Sequence, residues 1–301
     1  MSSSSGDAVT DARPAWAPSR WRGAGLVLPL LIFLLLMLVL PMIRMLIMSF
    51  RPVDEYGQAE PGFTAGQYRR VFAESFFSQA LVHSVLVALV VTALCLVLGY
   101  PAAYVLAHRR PGVLRTLLLL VVVSPLLTSV VVRSYGWSIL LSGNGLVNRI
   151  LVGSGLRSQP AHLLGSTLAV VISVTHVLLP FAIIPLTTAL RGIEPNLTRA
   201  SLSLGAGPVR TFWRVTVPLS LPGIAAGVLI VFALSMGIYI TPRLIGGTNQ
   251  ALAGIRIYDQ VSSVYDYPMA AALSFVLLVL TGICTALFGG GLRLWARRLH
   301  G

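Results

Sequence analysis

The sequence of 301 residues contains no lysine, since all 22 of its basic residues are arginine. A phosphate-binding P-loop uses a lysine ammonium to reach the β- and γ-phosphates, and pyridoxal enzymes form a Schiff base on lysine. Both kinds of site are therefore excluded from this chain. Any work driven by a nucleotide needs a separate partner protein.

Charged residues are scarce, at 10% of the chain against 56% hydrophobic residues, and the mean hydropathy is +0.85. A soluble domain carries about 25% charged residues. The long apolar stretches, separated by short charged clusters, are typical of helices that cross a membrane. A soluble enzyme is excluded, and an all-α membrane protein is predicted.

The two cysteines, Cys95 and Cys284, stand alone within apolar runs. Neither belongs to a CxxC pair or has histidines at ligand spacing, so no metal site is predicted. The net charge of +13 comes from arginines at the ends of apolar segments, which indicates membrane topology and no nucleic-acid partner.

Six uncharged runs are each long enough for one spanning helix. They are Gly23–Ile43, Ser75–His108, Thr116–Val132, Ser158–Leu190, Val215–Pro242 and Tyr267–Leu292. We expect the third and shortest run to extend past Arg115 or Arg133, and Gly289–Gly291 to end the last helix. The polar composition at the start of the chain predicts a disordered cytoplasmic tail over residues 1–22. A single transmembrane domain is predicted over residues 23–301.

The distribution of arginine predicts the orientation of these helices. If the N-terminus is cytoplasmic, 13 of the 22 arginines and three of the nine acidic residues lie inside. Cytoplasmic loops carry an excess of basic residues, so both ends of the chain are predicted to be cytoplasmic. In the outside connection from Ser134 to Arg157, the Gly143–Asn148 stretch predicts a short interfacial helix with turns at its edges.

The inside loop from Arg191 to Arg214 carries its own helix signals. Pro195 suits the first turn of a helix and Gly205 its C-terminal cap. Between them, Leu197, Ala200, Ser201 and Leu204 form a stripe of small and apolar side chains on one face. A second short helix is predicted to start at Pro208 and to continue through Phe212 and Trp213.

So short a helix is marginal in water and must rest on its own bundle, on the membrane surface or on a partner protein. Close docking on a protein requires small residues such as Ala200 and Ser201, whereas a helix lying in the bilayer surface shows large apolar ones. The stripe therefore favours a protein-docking helix over an interfacial one.

The segment Arg199-Ala200-Ser201-Leu202-Ser203-Leu204-Gly205, nine further residues and then Val215-Thr216-Val217-Pro218 resembles the EAA loop of permeases in binding-protein-dependent ABC importers. The loop, residues 191–218, would then contain the coupling helix that sits in a cleft of the ATPase subunit. The resemblance implies that Arg199, Ala200, Ser201, Leu204 and Gly205 lie at that interface.

Two positions differ from the family pattern. Arg199 stands where the family has an acidic residue, and Ser201 where it has a second alanine. The ion pair usually made by the family's glutamate cannot be made from Arg199.

The rest of the chain is similar to the first permease of spermidine/putrescine-type importers. Arg133–Trp137, the Asn144–Asn148 stretch and Thr241–Gly247 carry this similarity. The chain reads Gly237-Ile238-Tyr239 where the subfamily commonly has Gly-Asp-Phe, so an acid is lost.

This resemblance implies an inner-membrane permease domain that is not itself an enzyme. It implies a second homologous permease, cytoplasmic ATPases that bind ATP and Mg²⁺, a periplasmic solute-binding protein and surrounding lipid as partners. No cofactor is expected in this chain. The expected solute is a polyamine, with an opine, iron or an organophosphonate as alternatives.

Four residues are candidates for the substrate pathway: Tyr135, Trp137, His176 and Tyr239. His176 is ionisable at membrane depth, which often marks function, but a neutral imidazole bonded to a neighbouring helix is the structural alternative. The aromatic residues either line a gate for a cationic solute or belong to the aromatic belt of the membrane boundary.

Two other classes of function compete with the importer. An ion-coupled secondary transporter would carry an acidic or broken-helix ion site at mid-membrane, yet no acidic residue lies within a predicted span. An intramembrane enzyme would need paired carboxylates, a metal cluster or a nucleophile with its base, and only His176 offers such chemistry.

Overall fold

The structure, a computed structural model, describes residues 20–54, 59–246 and 251–300. Its regular elements in these ranges are helices and two π-helical turns, Phe212–Thr216 and Gln260–Val264. In chain order the helices are α1 Arg20–Ser49, α2 Gly66–Ala73, α3 Ser75–His108, α4 Val113–Leu127, α5 Val130–Leu141, α6 Leu146–Gly153, α7 Thr167–Arg191, α8 Pro195–Ser203, α9 Pro208–Thr211, α10 Val217–Leu219, α11 Leu221–Met236, α12 Ile240–Gly246, α13 Ala253–Asp259 and α14 Tyr267–His300.

The chain divides into two units, Met1–Ile47 and Met48–Gly301. The first unit contains nearly all of α1, of which Leu28–Ser49 is long and apolar enough to cross a membrane. The predicted first helix, Gly23–Ile43, lies within α1. Residues 1–19 of the predicted tail lie outside the described residues, so the tail stays a prediction.

The core of the second unit is formed by α3, α7 and α11. The bounds of α3 are those of the predicted run, whereas α7 begins at Thr167 and not at Ser158. The reason is local: Ser166 is extended and its hydroxyl accepts a hydrogen bond from the backbone N–H of Ala169, which caps α7. Val91, Val174 and Leu186 are fully buried in this core.

Helices α7 and α11 approach each other at a glycine. A Cβ atom added to Gly223 would lie 2.4 Å from the Cβ of Ala189 and 2.8 Å from the carbonyl oxygen of Pro185. Small residues let membrane helices pack backbone to backbone, where van der Waals contact replaces the hydrophobic driving force available in water. The α7–α11 crossing therefore leaves no room for a larger residue at Gly223.

A second core cluster joins α14 to α3 and α11 through Phe77, Phe232, Met269 and Leu273, each at most 2% exposed. The expectation that Gly289–Gly291 ends this helix was wrong, because α14 continues to His300. Glycine is more frequent in membrane helices than in soluble ones, and its own backbone N–H and C=O continue the helical hydrogen bonds.

The third predicted span, Thr116–Val132, is not one straight helix. Helix α4 begins at Val113, so it does extend past Arg115, but it ends at Leu127, and the following helical segment turns by 105°. Pro125 supplies no N–H to the last turn of α4, and Thr128 has an extended backbone. The chain therefore changes direction at Thr128 and Ser129, inside an uninterrupted apolar run.

The predicted run Val215–Pro242 is also divided. Helix α10 ends before Ser220, α11 covers Leu221–Met236, and α12 follows after Gly237–Tyr239. The segment Pro208–Leu219 and α11 form a pair bent by 63°. Among the described residues, four single helices and two bent pairs are long and apolar enough to cross a membrane, which makes this a multi-pass membrane protein.

Candidate functional site

Helix α8 begins at Pro195, as the sequence predicts, and ends in a Schellman motif. The N–H of Ala206 donates to the carbonyl of Ser201 at 3.2 Å, and the N–H of Gly205 to that of Leu202 at 3.0 Å. Gly205 has φ +82°, in the left-handed region that glycine adopts without a Cβ clash. The backbone of Gly205 therefore fixes where α8 ends and the chain turns.

The chain then returns along a second short segment made of α9, the π-helical turn Phe212–Thr216 and α10. The hydroxyl oxygens of Ser201 in α8 and Thr211 in α9 lie 3.0 Å apart and share a hydrogen bond. Thr211 is buried. The residue that replaces the family's second alanine thus links the two helices of the loop.

An open groove of about 640 Å³ lies between α8 and this returning segment. Its lining is mostly small and apolar, with two arginines: Leu197, Ala200, Ser201, Leu204, Gly205, Ala206, Arg210, Arg214, Val215, Pro218 and Leu219. The predicted stripe on α8 lines the groove completely. Leu204 is 88% exposed, so a large apolar side chain at its edge is left uncovered within this chain.

Arg199 does not line the groove, although the resemblance places it at the same interface. It is exposed on another face of α8, since successive helical residues are rotated by about 100°. In the part of the chain that the structure describes, no acidic residue forms an ion pair with Arg199, Arg210 or Arg214. The loop between α7 and α11 therefore carries three positive charges that no described acidic residue of this chain neutralises.

A second cavity, of about 330 Å³, lies at the bend between α4 and α5. Trp137 of α5 and His176 of α7 both line it, and the indole N–H donates to Nδ1 of the imidazole at 3.2 Å. An Nδ1 that accepts a hydrogen bond carries no proton, so the ring is neutral with its N–H at Nε2. The structure thus brings together two of the four candidate pathway residues.

Arg133 lines the same cavity and holds the bend. Its guanidinium donates to the carbonyl of Pro125, in the last turn of α4, while its Nε is buried without a hydrogen-bond partner among the described residues. A carbonyl in the last turn of a helix has no partner within the helix, and the arginine supplies one. No acidic residue lines this cavity.

The other two candidate pathway residues lie elsewhere. Tyr135 is 59% exposed and does not line the cavity. Tyr239 stacks on Tyr258, with ring centroids 5.4 Å apart, and the guanidinium of Arg243 lies 4.3 Å from the centre of the Tyr258 ring. The four candidates therefore do not form one site.

The acidic residue near this aromatic pair, Asp259, is paired with two arginines of the same chain. Asp259 forms an ion pair with Arg243 at 2.5 Å and lies 3.9 Å from Arg256. Burial lowers the pKa of the Arg256 guanidinium from its usual value, and the charge of Asp259 opposes this shift. Among the described residues, no group of histidine, cysteine and acidic side chains could hold a metal ion.

Sequence reasoning did not single out Asp266, which has a structural role. Its side chain is only 7% exposed, Oδ1 accepts the N–H of Met269 at 2.9 Å, and Oδ2 lies 3.4 Å from Arg70. Asp266 is thus the N-cap of α14 and ties α14 to α2. An aspartate directly before a helix with proline in its first turn, Pro268, was the available signal.

Comparisons with known proteins agree with this architecture. Residues 96–300 match the family model described as "Binding-protein-dependent transport system inner membrane component". The spermidine/putrescine transport system permease protein PotB of Escherichia coli (strain K12) is 34% identical over 268 residues, which cover 89% of this chain and 97% of the relative.

Two further relatives are also named as permease proteins of transport systems. PotB of Salmonella typhimurium (strain SL1344) is 34% identical over 89% of this chain and 92% of its own length. The molybdenum transport system permease protein ModB of Mycobacterium bovis (strain ATCC BAA-935 / AF2122/97) is 35% identical over 68% of this chain and 75% of its own length.

Among solved structures, a bacterial ABC transporter for import of the acidic polysaccharide alginate has a chain with the same fold. The TM-score is 0.69 at 20% identity, over 91% of this chain and 95% of that chain. The family match and the relatives together identify the family of this chain. This chain belongs to the inner membrane components of binding-protein-dependent transport systems and is a multi-pass importer permease close to the spermidine/putrescine type.

Proposed function

We propose that this chain is one of a pair of similar permease subunits in an ATP-driven importer, with six spans and both ends in the cytoplasm. Four single-helix candidate spans and two bent pairs, each taken as one span, support the number six. The excess of arginine on the side of the α3–α4 and α7–α11 connections supports the orientation.

Within this proposal α8 is the coupling helix that docks on the ATPase subunit. The observation that carries it is the groove of about 640 Å³ beside α8, lined by Leu197, Ala200, Ser201 and Leu204 and left open by this chain. A helix as short as α8 is not stable alone in water. An ATPase cleft that receives α8 would cover these apolar side chains.

ATP and Mg²⁺ would be bound by the ATPase subunits, because this chain has no lysine for a P-loop. When ATP closes the ATPase pair, the two coupling helices are pushed together. The spans then rotate from an inward-open to an outward-open arrangement, a rigid-body change selected by ATP. The solute enters the open bundle from the periplasmic binding protein.

The proposed solute is a polyamine such as spermidine or putrescine. Support comes from the relatives named as spermidine/putrescine permeases, at 34% identity over 89% of this chain. Trp137 and His176 at the α4–α5 bend, with Tyr135 and Tyr239, are the proposed pathway residues. Aromatic faces attract ammonium groups, which suits the two tyrosines and the tryptophan.

A second candidate is an acceptor-rich solute such as an organophosphonate. The cavity at the bend contains Arg133 and no acidic residue, and Gly237-Ile238-Tyr239 lacks the acid common in the polyamine subfamily. A polycation would find no counter-charge there, whereas a phosphonate would meet a guanidinium. An opine carries carboxylates that would meet the same guanidinium, whereas among the described residues no group of His, Cys, Asp and Glu side chains could hold iron.

The decisive experiment is to tag this chain, solubilise native membranes in mild detergent and identify the co-purifying proteins by mass spectrometry. An ATPase and a sister permease in stoichiometric amounts are expected. The binding protein expressed with them is then titrated with spermidine, putrescine and a phosphonate, which separates the two candidate solutes. A chain that purifies alone under several detergents would favour an ion-coupled transporter.

The coupling role is tested with Ala200→Glu and Gly205→Asp, which place an acid in or beside the groove. We expect normal membrane insertion, loss of the co-purifying ATPase and loss of uptake. Arg110→Glu is the control, because Arg110 is exposed in the α3–α4 connection, away from α8, and does not line the groove. Normal uptake in both groove variants would contradict the coupling role.

A further inference from the structure

Three exposed arginines lie on α8 and the segment that follows it. Arg210 and Arg214 line the groove, and Arg199 is exposed on another face of α8. We call Arg199, Arg210 and Arg214 the arginine surface. Glu194, just before α8, is the acidic residue of the cytoplasmic α7–α11 connection, and it forms no ion pair with these arginines among the described residues.

The groove combines this charge with a floor of small and apolar residues. Ala200, Gly205 and Ala206 leave room for a partner's side chains, and Leu204 at the rim is almost fully exposed. Charges at the rim of an interface steer association and select partners, while the apolar centre supplies most of the affinity. A partner that fits must therefore present carboxylates around an apolar patch.

We propose that the ATPase subunit serving this permease presents acidic residues to Arg199, Arg210 and Arg214 around the pocket that receives α8. This inference rests on the proposed function, since it specifies the ATPase that docks there. The complementary charges would make assembly dependent on salt. They would also prevent this permease from pairing with ATPases whose receiving cleft is basic.

Anionic lipid is the competing partner for arginines close to a membrane. A lipid surface, however, accepts positive charge anywhere on that side of the protein, including the exposed Arg110 in the α3–α4 connection. Binding to a lipid surface also does not require a groove lined by alanine and glycine. The shape of the groove therefore favours a protein.

The test uses the ATPase that co-purifies with the wild-type chain, titrated onto the permease in nanodiscs of neutral lipid at several salt concentrations. We expect affinity to fall with salt. Arg199→Gln, Arg210→Gln and Arg214→Gln should each weaken binding about 2- to 5-fold, as expected for exposed ion pairs. The triple variant should bind weakly and lose most of the salt dependence, and Arg199→Glu should weaken binding more than Arg199→Gln.

Arg110→Gln is the matched control, because it removes an exposed arginine from the same side without touching the groove. Its affinity for the ATPase should equal that of the wild type. All variants are first compared in yield and thermal midpoint, so that a folding defect is recognised, and Arg199→Lys should retain binding where Arg199→Gln does not.

The outcomes separate this inference from the function on which it rests. Absence of any ATPase from the wild-type preparation contradicts the proposed function. An ATPase that binds equally at all salt concentrations, or more tightly to Arg199→Glu, contradicts the acidic cleft and leaves the importer intact. Salt dependence that appears only in anionic nanodiscs, with an equal effect of Arg110→Gln, would assign the arginines to lipid.

Discussion

The hydroxyl of Ser201 lies 3.0 Å from that of Thr211, and this contact joins the two short helices of the loop between α7 and α11. Neither helix is long enough to be stable alone, since α8 has nine residues and α9 four. Because Thr211 is buried, its hydroxyl depends on a protein partner. The hydrogen bond therefore fixes the position of α8 before any partner binds.

Ser201→Ala should loosen α8. A net hydrogen bond contributes about 0.5–1.5 kcal/mol, so amide exchange in α8 should accelerate about 2- to 10-fold in hydrogen–deuterium exchange. Thr211→Val should have a similar effect, and the double variant should add little to either change. Ser203→Ala, on the exposed surface of the same helix, is the control. Equal exchange in Ser201→Ala and Ser203→Ala would contradict the structural role.

Gly205→Ala should strain the end of α8 through the backbone alone. Its φ is +82°, and a Cβ there would meet no atom within 4 Å, so the expected cost is about 1–2 kcal/mol from the left-handed conformation. Gly192→Ala is the control in the same loop, because Gly192 has φ −74°. Uptake and retention of the ATPase should fall for Gly205→Ala and not for Gly192→Ala.

Trp137→Phe should destabilise the α5–α7 contact. Phenylalanine keeps most of the ring volume but leaves Nδ1 of the half-buried His176 without its donor. An unpaired acceptor costs about 1–3 kcal/mol when fully buried, so the loss here should be at or below the lower end of that range. We expect a lower thermal midpoint in detergent. Trp213→Phe serves as the control, since Trp213 is 64% exposed. Equal midpoints for the two variants would show that the hydrogen bond does not stabilise the bundle.

Two substitutions at Asp266 separate its cap from its ion pair. Asp266→Asn keeps an oxygen that accepts the N–H of Met269, but it loses the charge opposite Arg70. Because the Arg70 side chain is 47% exposed, loss of this ion pair should cost little stability. Asp266→Ala loses both interactions and should cost about 0.5–2 kcal/mol more. Thermal midpoints of the two variants measure the difference, and equal losses would mean that the cap contributes nothing.

The proposed orientation is tested by cysteine labelling. In a Cys95→Ala, Cys284→Ala background, Ser203→Cys should react with an impermeant maleimide only from the cytoplasmic side. Arg69→Cys should react only from the outside, because α2 precedes the opposite end of α3. Both positions are exposed. Labelling of Ser203→Cys from outside would reverse the topology.

The loop around α8 was predictable because its signals are local. Pro195 and Gly205 determine the two ends of α8 through backbone conformation alone, and spacing determines which side chains share a face. The bend at Thr128 and Ser129 was not predictable in this way. Hydropathy reports how much apolar length is available, but not where the chain turns within it.

The contacts at the bend depend on packing between distant segments. Trp137 and His176 come together because α5 turns back onto α7, which no local pattern encodes. The placement of Arg199 outside the groove, in contrast, follows from local spacing, because successive helical residues are rotated by about 100° and Arg199 falls off the stripe. The buried cap at Asp266 had a local signal, and its ion pair with Arg70 had none.

The tight crossing at Gly223 has a mechanical consequence for the loop. Helix α8 is joined at one end to α7 and at the other, through α9 and α10, to α11. Because Gly223 of α11 packs directly against Pro185, Leu186 and Ala189 of α7, sliding of the two helices past each other would meet a clash. If α8 is the coupling helix, a force applied to it would act on α7 and α11 together and tilt them as one unit.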